Sequence, residues 1–309
     1  MTFQELYKEW ITTKSLYVKR STLAAYKLQL RNHILPAIGN TEIDSIKTGL
    51  LQHFINDMLD KGLSVKTTQD VIITVKMIMR YGAEMELVSH KTFNLKYPTR
   101  NIDCTQKIET YSFEEQKKIA QYIIDNPSSK NIGILIVLCT GMRIGEVCAL
   151  KWENIDLYAK IIQVRNTVSR VYDPTGDRKT SIEFGRPKTI DSNRDIPIQT
   201  DLYRILKKFR AVSCDDYFVV SGSRNLLEPR TYRNYYRKFI TEEVGLNHCI
   251  KFHGLRHTFA TRLVEKGAEI TAVSKILGHS DVSITMNLYV HPTTISKANC
   301  INKSMKGIL

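Results

Sequence analysis

Helical periodicity of the apolar residues runs through the first hundred positions and restricts this part of the chain to a helical fold. Phe3, Leu6 and Trp10 recur at a spacing that places them on one face of a helix. A second amphipathic stripe occupies residues 51–59, and a further helical pattern follows it. Each such segment has one apolar face to bury, so residues 1–98 are expected to pack together as a helical domain.

The periodicity changes twice further along the chain. A mostly polar stretch at 99–110 has no apolar face and is predicted to be a linker between domains. Between Ile161 and Ile198, short alternating segments are separated by turn signals, which predicts a small antiparallel sheet between helices. We therefore expect a mainly α fold with a small antiparallel β-sheet, divided into a helical domain at 1–98, a mixed α+β domain at 111–291 and a C-terminal tail at 292–309.

The chain carries a strong excess of positive charge. Its 309 residues have a formal net charge of +14 at pH 7, of which +5 lies in residues 1–100 and +9 in the remainder. Such an excess in both halves indicates a polyanionic partner, most often nucleic acid, although a merely basic surface is the alternative. No apolar stretch is long enough to span a membrane, and the six cysteines form no Cys-x-x-Cys pair. A cytoplasmic, nucleoid-associated protein with reduced thiols is expected.

Two arginines lie in patterns suited to phosphate binding. Arg143 follows the string Thr-Gly-Met at the expected start of a helix, and Glu146 lies three residues on, where it could orient the guanidinium. Arg256 shares a helical face with His253. A planar guanidinium binds two phosphate oxygens at once. Taken alone, a solvated ion pair on a helix surface is the simpler explanation of either arginine.

Three further side chains would complete a site for phosphodiester transfer. His279 follows a glycine at the expected end of a helix and could donate to a phosphate oxygen. Tyr289 offers a phenolic nucleophile, but a free phenol has a pKa of about 10. It therefore needs a base and a cationic pocket, which His253 and the arginines are expected to supply. Lys188 lies in an expected hairpin, where it could protonate the leaving oxygen or serve only solubility.

The spacing of His253 and His257 also occurs in zinc sites. No glutamate follows His253 as it does in zinc proteases, and no third ligand is evident. No glycine-rich loop for a nucleotide is present either. We therefore expect neither a metal nor a cofactor.

At these positions the chain resembles the tyrosine recombinases, or phage-type integrases. The resemblance is carried by the strings Thr-Gly-Met-Arg-Ile-Gly-Glu, Pro-Lys-Thr, His-Gly-Leu-Arg-His, Leu-Gly-His and Tyr-Val-His. It implies that the catalytic residues are Arg143, Lys188, His253, Arg256, His279 and Tyr289. It further implies that Glu146 supports them, that His257 has a local structural role, and that the apolar segment 132–138 is a helix, which periodicity alone leaves open between helix and strand.

The resemblance implies a site-specific DNA recombinase of bacterial or phage origin. Tyr289 would cleave DNA through a 3′-phosphotyrosine link, and a hydroxyl of a second duplex would reverse the step. The implied partners are double-stranded DNA, a homo-tetramer whose tails pass between protomers, and an accessory DNA-bending or directionality protein. A type IB topoisomerase or a catalytically silent DNA-binding regulator would be the alternative activity. The biological role stays open between mobile-element integration or excision, DNA inversion and Xer-like dimer resolution.

The helical domain resembles the core-binding domain of the same family. The chain would then begin directly with that domain, without the arm-binding domain of lambda-type integrases. Polar side chains on its helices are candidate DNA contacts: Lys27, Arg31, Lys66, Thr67, Thr68 and Lys76. For any one of them, a solvated charged face is the simpler explanation.

Overall fold

The computed structural model describes residues 1–98, 108–172, 180–187 and 190–289. These residues divide into two units. The first unit contains residues 1–98 with 170–172 and 180–181, and the second contains the rest. The predicted tail at 292–309 and nearly all of the predicted linker lie outside the described residues.

The first unit is helical, as its periodicity predicts. Helix α1 (Phe3–Ser15) begins at a capping box, in which the Thr2 hydroxyl accepts from the Glu5 amide and the Glu5 carboxylate accepts from the Thr2 amide. The following helices are α2 (Arg20–Gln29), α3 (Leu35–Ile38), α4 (Thr48–Asp60) and α5 (Val65–Glu84). Their apolar faces bury one common core, which includes Phe3, Leu6, Trp10, Leu51, Ile55, Ile72 and Val75.

Thr68 is not on the exposed face of α5 where the sequence argument placed it. Its side chain is fully buried. The reason is the helical repeat: Thr68 precedes Val71, Ile72 and Val75 by three, four and seven residues, so it begins the buried stripe of the helix. A DNA contact from Thr68 would require this face of α5 to leave the core.

The second unit begins with three helices, α6 (Phe113–Asp125), α7 (Ser129–Thr140) and α8 (Ile144–Ala149). Nearly every residue of α7 is buried, because other elements cover it on all sides. A helix without a polar face has no amphipathic period, and this is why the sequence pattern of 132–138 did not distinguish helix from strand.

A small sheet follows, and its presence in a mainly helical chain confirms the predicted fold class. Strands β1 (Ile155–Asp156), β2 (Ile161–Val164) and β5 (Arg194–Pro197) form an antiparallel sheet in the order β1-β2-β5, with Ile162 opposite Ile196. Strands β3 (Thr167–Tyr172) and β4 (Thr180–Gly185) pair with each other. Strand β5 alternates buried and exposed residues, and Arg194 is on its buried side.

The remaining helices are α9 (Thr200–Arg210), α10 (Pro229–Lys238), α11 (Phe252–Glu265), α12 (Ile270–Leu277) and α13 (Val282–Tyr289). Helix α11 packs against α7, and α12 and α13 pack against α11 and against each other. A second, smaller apolar cluster in this unit joins α11, α12 and α13 through Ala260, Val273, Leu277 and Tyr289. Among the described residues, no helix combines the length and apolar character needed to cross a membrane.

Candidate active site

Arg143 lies at the junction of α7 and α8, and two partners orient its guanidinium. Nη1 donates to Oε1 of Glu146 at 2.8 Å, and Nη2 donates to the carbonyl oxygen of Gly278 at 3.1 Å. About a third of the side chain, 36 %, remains exposed. The inner edge of the guanidinium is therefore fixed, and its open edge can still bind an anion.

The structure corrects the expected role of the helix end beside Arg143. Arg143 precedes α8 rather than lying inside it, and α8 has only six residues. The backbone amide of Arg143 donates to Oε2 of Glu146 at 2.8 Å, so a carboxylate already occupies this helix end. The capacity to bind an anion here belongs to the guanidinium and not to the helix terminus.

Glu146 is held in turn by Arg194, a residue that the sequence argument missed. Nη1 and Nη2 of Arg194 donate to Oε1 and Oε2 of Glu146 at 3.1 and 2.9 Å. Burial by itself raises the pKa of Glu146, but hydrogen bonds and charge from Arg194, with the charge of Arg143, lower it below the usual value. One signal could have revealed Arg194: in the alternating strand β5 it shares the inward face with Ile196, and a charge at an inward position needs a partner.

Arg256, on the buried face of α11, is only 1 % exposed. Its Nη1 donates to the carbonyl oxygen of Gly141 at 2.9 Å, whereas Nη2 is buried and has no hydrogen-bond partner among the described residues. Desolvation, and then the charge of Arg143, lower the pKa of Arg256 to about 9, which still leaves it charged at neutral pH. A buried cationic donor without an acceptor is costly in the free protein, and an oxyanion would satisfy it.

Two glycines supply the carbonyl groups that hold these arginines. Gly141 ends α7 with φ of +66°, and Gly278 ends α12 with φ of +68°. This left-handed conformation turns the chain back at the helix end and favours glycine. At Gly141 a Cβ would also lie 2.6 Å from Cδ1 of Phe259. The left-handed backbone thus explains why glycine occupies these positions in Thr-Gly-Met-Arg and Leu-Gly-His.

The three histidines near the arginines are held in their neutral forms. Nδ1 of His279 lies 2.8 Å from Oγ1 of Thr285, and desolvation, followed by the charge of Arg256, lowers the pKa of His279 to about 4. Desolvation also lowers the pKa of His253 and of His257. His253 is exposed at the open face of the site. Neutral imidazoles leave the arginines as the positive charges of the site.

Tyr289 ends α13, and its ring is almost fully buried in the cluster between α11 and α12. Its Oη lies 2.6 Å from Nδ1 of His257. Burial raises the pKa of Tyr289, an effect that Arg256 partly offsets. The sequence motifs predict His253 as the base and a local structural role for His257. In the structure it is His257 that contacts the phenol. The ring of His253 packs edge-on against that of His257, with 4.7 Å between the two ring centroids.

The remaining candidates are Lys188 and the predicted DNA-contact residues of the first unit. Lys188 is outside the described residues. Lys27 is partly exposed, and the remaining candidates on the first unit, apart from the buried Thr68, are exposed. Several already have partners: Lys66 pairs with Asp70 at 2.7 Å, Arg31 donates to the hydroxyl of Tyr172, and Lys76 donates to the carbonyl oxygen of Phe93 at 3.3 Å.

A cleft of about 450 Å³ adjoins the site along α10 and the start of α11. Three of its lining residues are cationic: Arg233, Arg237 and Lys251. His253 and Met142 connect the cleft to the arginines of the site. In the described part of the chain, no group of three or more His, Cys, Asp or Glu side chains is arranged to hold a metal ion. The arrangement can bind an extended polyanion and present a phenol to one of its phosphates.

The chain matches two protein-family models and is similar in sequence to several known proteins. The model of the phage integrase family matches residues 110–295, and that of a SAM-like N-terminal domain of phage integrases matches residues 2–59. A XerC-like tyrosine recombinase of Caldanaerobacter subterraneus subsp. tengcongensis is 29 % identical over 97 % of this chain and 82 % of its own length. The integrase of Staphylococcus phage L54a is 25 % identical over 95 % of this chain and 89 % of its own.

Among solved structures, the Tn1549 transposon integrase in complex with a circular intermediate DNA has a similar fold. The TM-score is 0.79 at 24 % identity, and the match covers 98 % of this chain and 99 % of that one. The similarity therefore extends over both units and is not confined to the site.

Proposed function

We propose that Tyr289 is the nucleophile of this protein, which belongs to the phage integrase family. Members of this family are tyrosine recombinases, and this chain is such an enzyme, which cleaves and rejoins DNA. Arg143 and Arg256 bind the scissile phosphate in this proposal, and His279 donates to one of its oxygens. Glu146 and Arg194 hold Arg143 in place from behind.

The main observation in support of this proposal is the buried Nη2 of Arg256, which is unpaired among the described residues. This nitrogen is a cationic donor, and the open edge of Arg143 belongs to the same site. Three arginines face one carboxylate, which leaves two positive charges uncompensated. A phosphodiester brings one negative charge and gains a second in the transition state of attack. The site is therefore complementary to that transition state.

The reaction follows from these positions. The Oη of Tyr289 attacks phosphorus, the new O–P bond forms, and the bond from phosphorus to the 5′ oxygen breaks. The product is a 3′-phosphotyrosine, and the departing 5′ oxygen takes a proton, for which Lys188 is the proposed donor. A 5′-hydroxyl of a second duplex then attacks the phosphotyrosine and restores the phosphodiester. One phosphodiester is made for each one broken, so the bond energy is conserved.

DNA binds both units in this proposal. The cationic cleft along α10 receives the backbone beside the scissile phosphate, and exposed lysines of the first unit, such as Lys66 and Lys76, contact the duplex elsewhere. Exchange between two duplexes breaks four strands, each of which needs its own tyrosine. This requirement supports a homo-tetramer on DNA, with the tail at 292–309 as the segment passed between protomers.

The biological role proposed is integration and excision of a mobile element. Similarity over 95 % of the chain to a phage integrase supports this role. Xer-like resolution of chromosome dimers is the second candidate, because the XerC-like relative is 29 % identical over 97 % of the chain. DNA flanking the gene should contain paired repeats if the mobile-element role is correct.

The test uses nicked duplexes tiled across that flanking DNA. A nick close to the scissile phosphate lets the short fragment that carries the 5′-hydroxyl diffuse away, which traps the phosphotyrosine. We expect the wild-type protein to form an adduct that survives a denaturing gel, and Tyr289→Phe to form none while it binds the same DNA with unchanged affinity. An adduct formed by Tyr289→Phe would overturn the assignment.

A second arm separates recombination from relaxation of a single duplex. Two duplexes with different labels are mixed with the protein. Products that carry both labels indicate recombination. Adduct formation and relaxation of supercoils without such products would indicate a topoisomerase instead.

A further inference from the structure

Within the proposed function, one contact of the nucleophile has no assigned role. The Oη of Tyr289 lies 2.6 Å from Nδ1 of His257, and the two ring centroids are 5.7 Å apart. His257 is half-buried, and Tyr289 is only 8 % exposed. The contact joins α11 to the last residue of α13.

The burial of Tyr289 favours the phenol as the donor in this hydrogen bond. If Nδ1 of His257 carried the proton and donated it, the hydroxyl proton of the buried Tyr289 would need another acceptor. Among the hydrogen bonds of the described residues, Nδ1 of His257 is its partner. A buried polar proton without an acceptor is unfavourable. This argument favours the tautomer in which His257 carries its proton on Nε2 and accepts at Nδ1.

The surroundings keep this lone pair available. Desolvation, and then the charge of the adjacent Arg256, lower the pKa of His257, so the ring is neutral at pH 7. The ring of His253 packs against it edge-on and is neutral for the same physical reason. When a phosphate anion neutralises Arg256, the electrostatic penalty on a protonated His257 decreases. The basicity of His257 thus increases when substrate is bound.

We propose that His257 is the general base of the reaction: it accepts the phenolic proton of Tyr289 as Oη attacks phosphorus. The proton moves from Oη to Nδ1, the Oη–P bond forms, the P–O5′ bond breaks, and the 5′ oxygen is protonated separately. In the reverse step the imidazolium of His257 returns the proton to Oη as the phenol leaves. One complete cycle of cleavage and rejoining therefore restores the starting protonation state of the Tyr289–His257 pair.

Helix α11 gives this assignment a geometric basis. Arg256 and His257 are consecutive residues, so one turn of helix carries both the group that binds the phosphate and the group that contacts the nucleophile. Arg256 is anchored to the carbonyl oxygen of Gly141 at 2.9 Å, and Tyr289 is anchored in the cluster with Ala260 and Leu277. The distance between base and phosphate site is thereby fixed within a single rigid element.

The first experiment compares His257→Leu and His257→Asn with wild type on a nicked duplex that supports adduct formation. Asparagine can accept a hydrogen bond but cannot take the proton. We expect both variants to bind DNA with unchanged affinity and to form the adduct on the order of 10²-fold more slowly, the usual contribution of a general base. His248→Leu, which removes an exposed histidine near Glu115, is the matched control and should cleave at the wild-type rate.

The second arm distinguishes a base from a structural contact. Difluorotyrosine at position 289 has a more acidic phenol, which depends less on a base. We expect the defect of His257→Leu to shrink strongly with this nucleophile. Wild-type rates for both His257 variants, or a defect of equal size with tyrosine and difluorotyrosine, would overturn the proposal.

A third arm works on the free protein and does not depend on activity. The ¹⁵N resonances of the His257 ring, identified by their loss in His257→Asn, should show an unprotonated Nδ1 whose shift changes in Tyr289→Phe. A protonated Nδ1, or no response to Tyr289→Phe, would contradict the contact. If wild type forms no adduct with any DNA, the recombinase assignment of Tyr289 fails, and this arm still decides whether His257 accepts its proton.

Discussion

Arg194 and Glu146 form a buried ion pair in which both terminal nitrogens of the arginine meet both oxygens of the carboxylate, at 3.1 and 2.9 Å. The side chains are 6 % and 2 % exposed. Nε of Arg194 also donates to the carbonyl oxygen of Ile276, near the end of α12. The pair thus connects strand β5, helix α8 and helix α12 behind the site.

Arg194→Met should destabilise the protein, because it leaves the Glu146 carboxylate buried with Arg143 as its remaining charged partner. Removing one member of a buried pair costs about 3–5 kcal/mol, and the remaining partner places this case at the lower end. Urea unfolding measures the effect. Asp195→Ala, which breaks the neighbouring exposed pair with Arg165, should cost less than about 1 kcal/mol. Equal losses for the two variants would mean that the buried pair is not a stabilising unit.

Arg256→Lys should slow adduct formation much more than it weakens DNA binding. Lysine keeps the charge but cannot hold the carbonyl oxygen of Gly141 and a phosphate oxygen with one planar group. Loss of one preorganised donor reduces the rate on the order of 10²–10³-fold. Arg204→Lys, at an exposed pair with Asp201, is the control. A cleavage rate near wild type for Arg256→Lys would remove Arg256 from the phosphate site.

Gly141→Ala should be more destabilising than Gly267→Ala. Both positions have positive φ, so both substitutions incur the strain of a left-handed residue, about 1–2 kcal/mol. Only at Gly141 would the new methyl group also meet a neighbour, Cδ1 of Phe259 at 2.6 Å, whereas nothing lies within 4 Å at Gly267. Thermal and urea unfolding compare the two variants, and equal effects would show that Phe259 moves aside without cost.

The stability of the free protein should decrease as the pH falls from 6.5 towards 4. Folding lowers the pKa of His279 from 6.5 to about 4, so in this range the unfolded chain binds a proton that the folded protein does not. The free energy of unfolding therefore rises with pH across the window and is fully recovered above it. His279→Gln should flatten this dependence, and His90→Gln should not. An unchanged slope in His279→Gln would show that His279 is not the titrating group.

Lys188→Ala should be rescued by a better leaving group. A 5′-bridging phosphorothiolate releases a sulfur that needs little protonation, so a missing proton donor matters less. We expect slow cleavage of the normal duplex and near wild-type cleavage of the sulfur duplex. Equal impairment on both would show that Lys188 acts in another way.

Local patterns in the sequence were sufficient for the fold class and for naming most residues of the candidate site. The amphipathic stripes of α1, α4 and α5 predicted helices, because an apolar face repeats with the helical period wherever only one side is buried. The glycine before His279 marked the end of a helix, because a left-handed residue is a local requirement. The motif residues Arg143, Arg256 and Tyr289 could likewise be named from short strings.

The tertiary structure alone decided which partner each side chain has. Helix α7 is buried on all sides and carries no amphipathic period, so periodicity alone did not identify it as a helix. Thr68 looks polar in sequence but begins a buried stripe. Arg194 is 48 residues from Glu146, and Tyr289 is 32 residues from His257. Periodicity indicates the direction of a side chain relative to its own helix or strand. A hydrogen bond between distant residues depends instead on how separate elements pack, and a local sequence pattern holds no information about that packing.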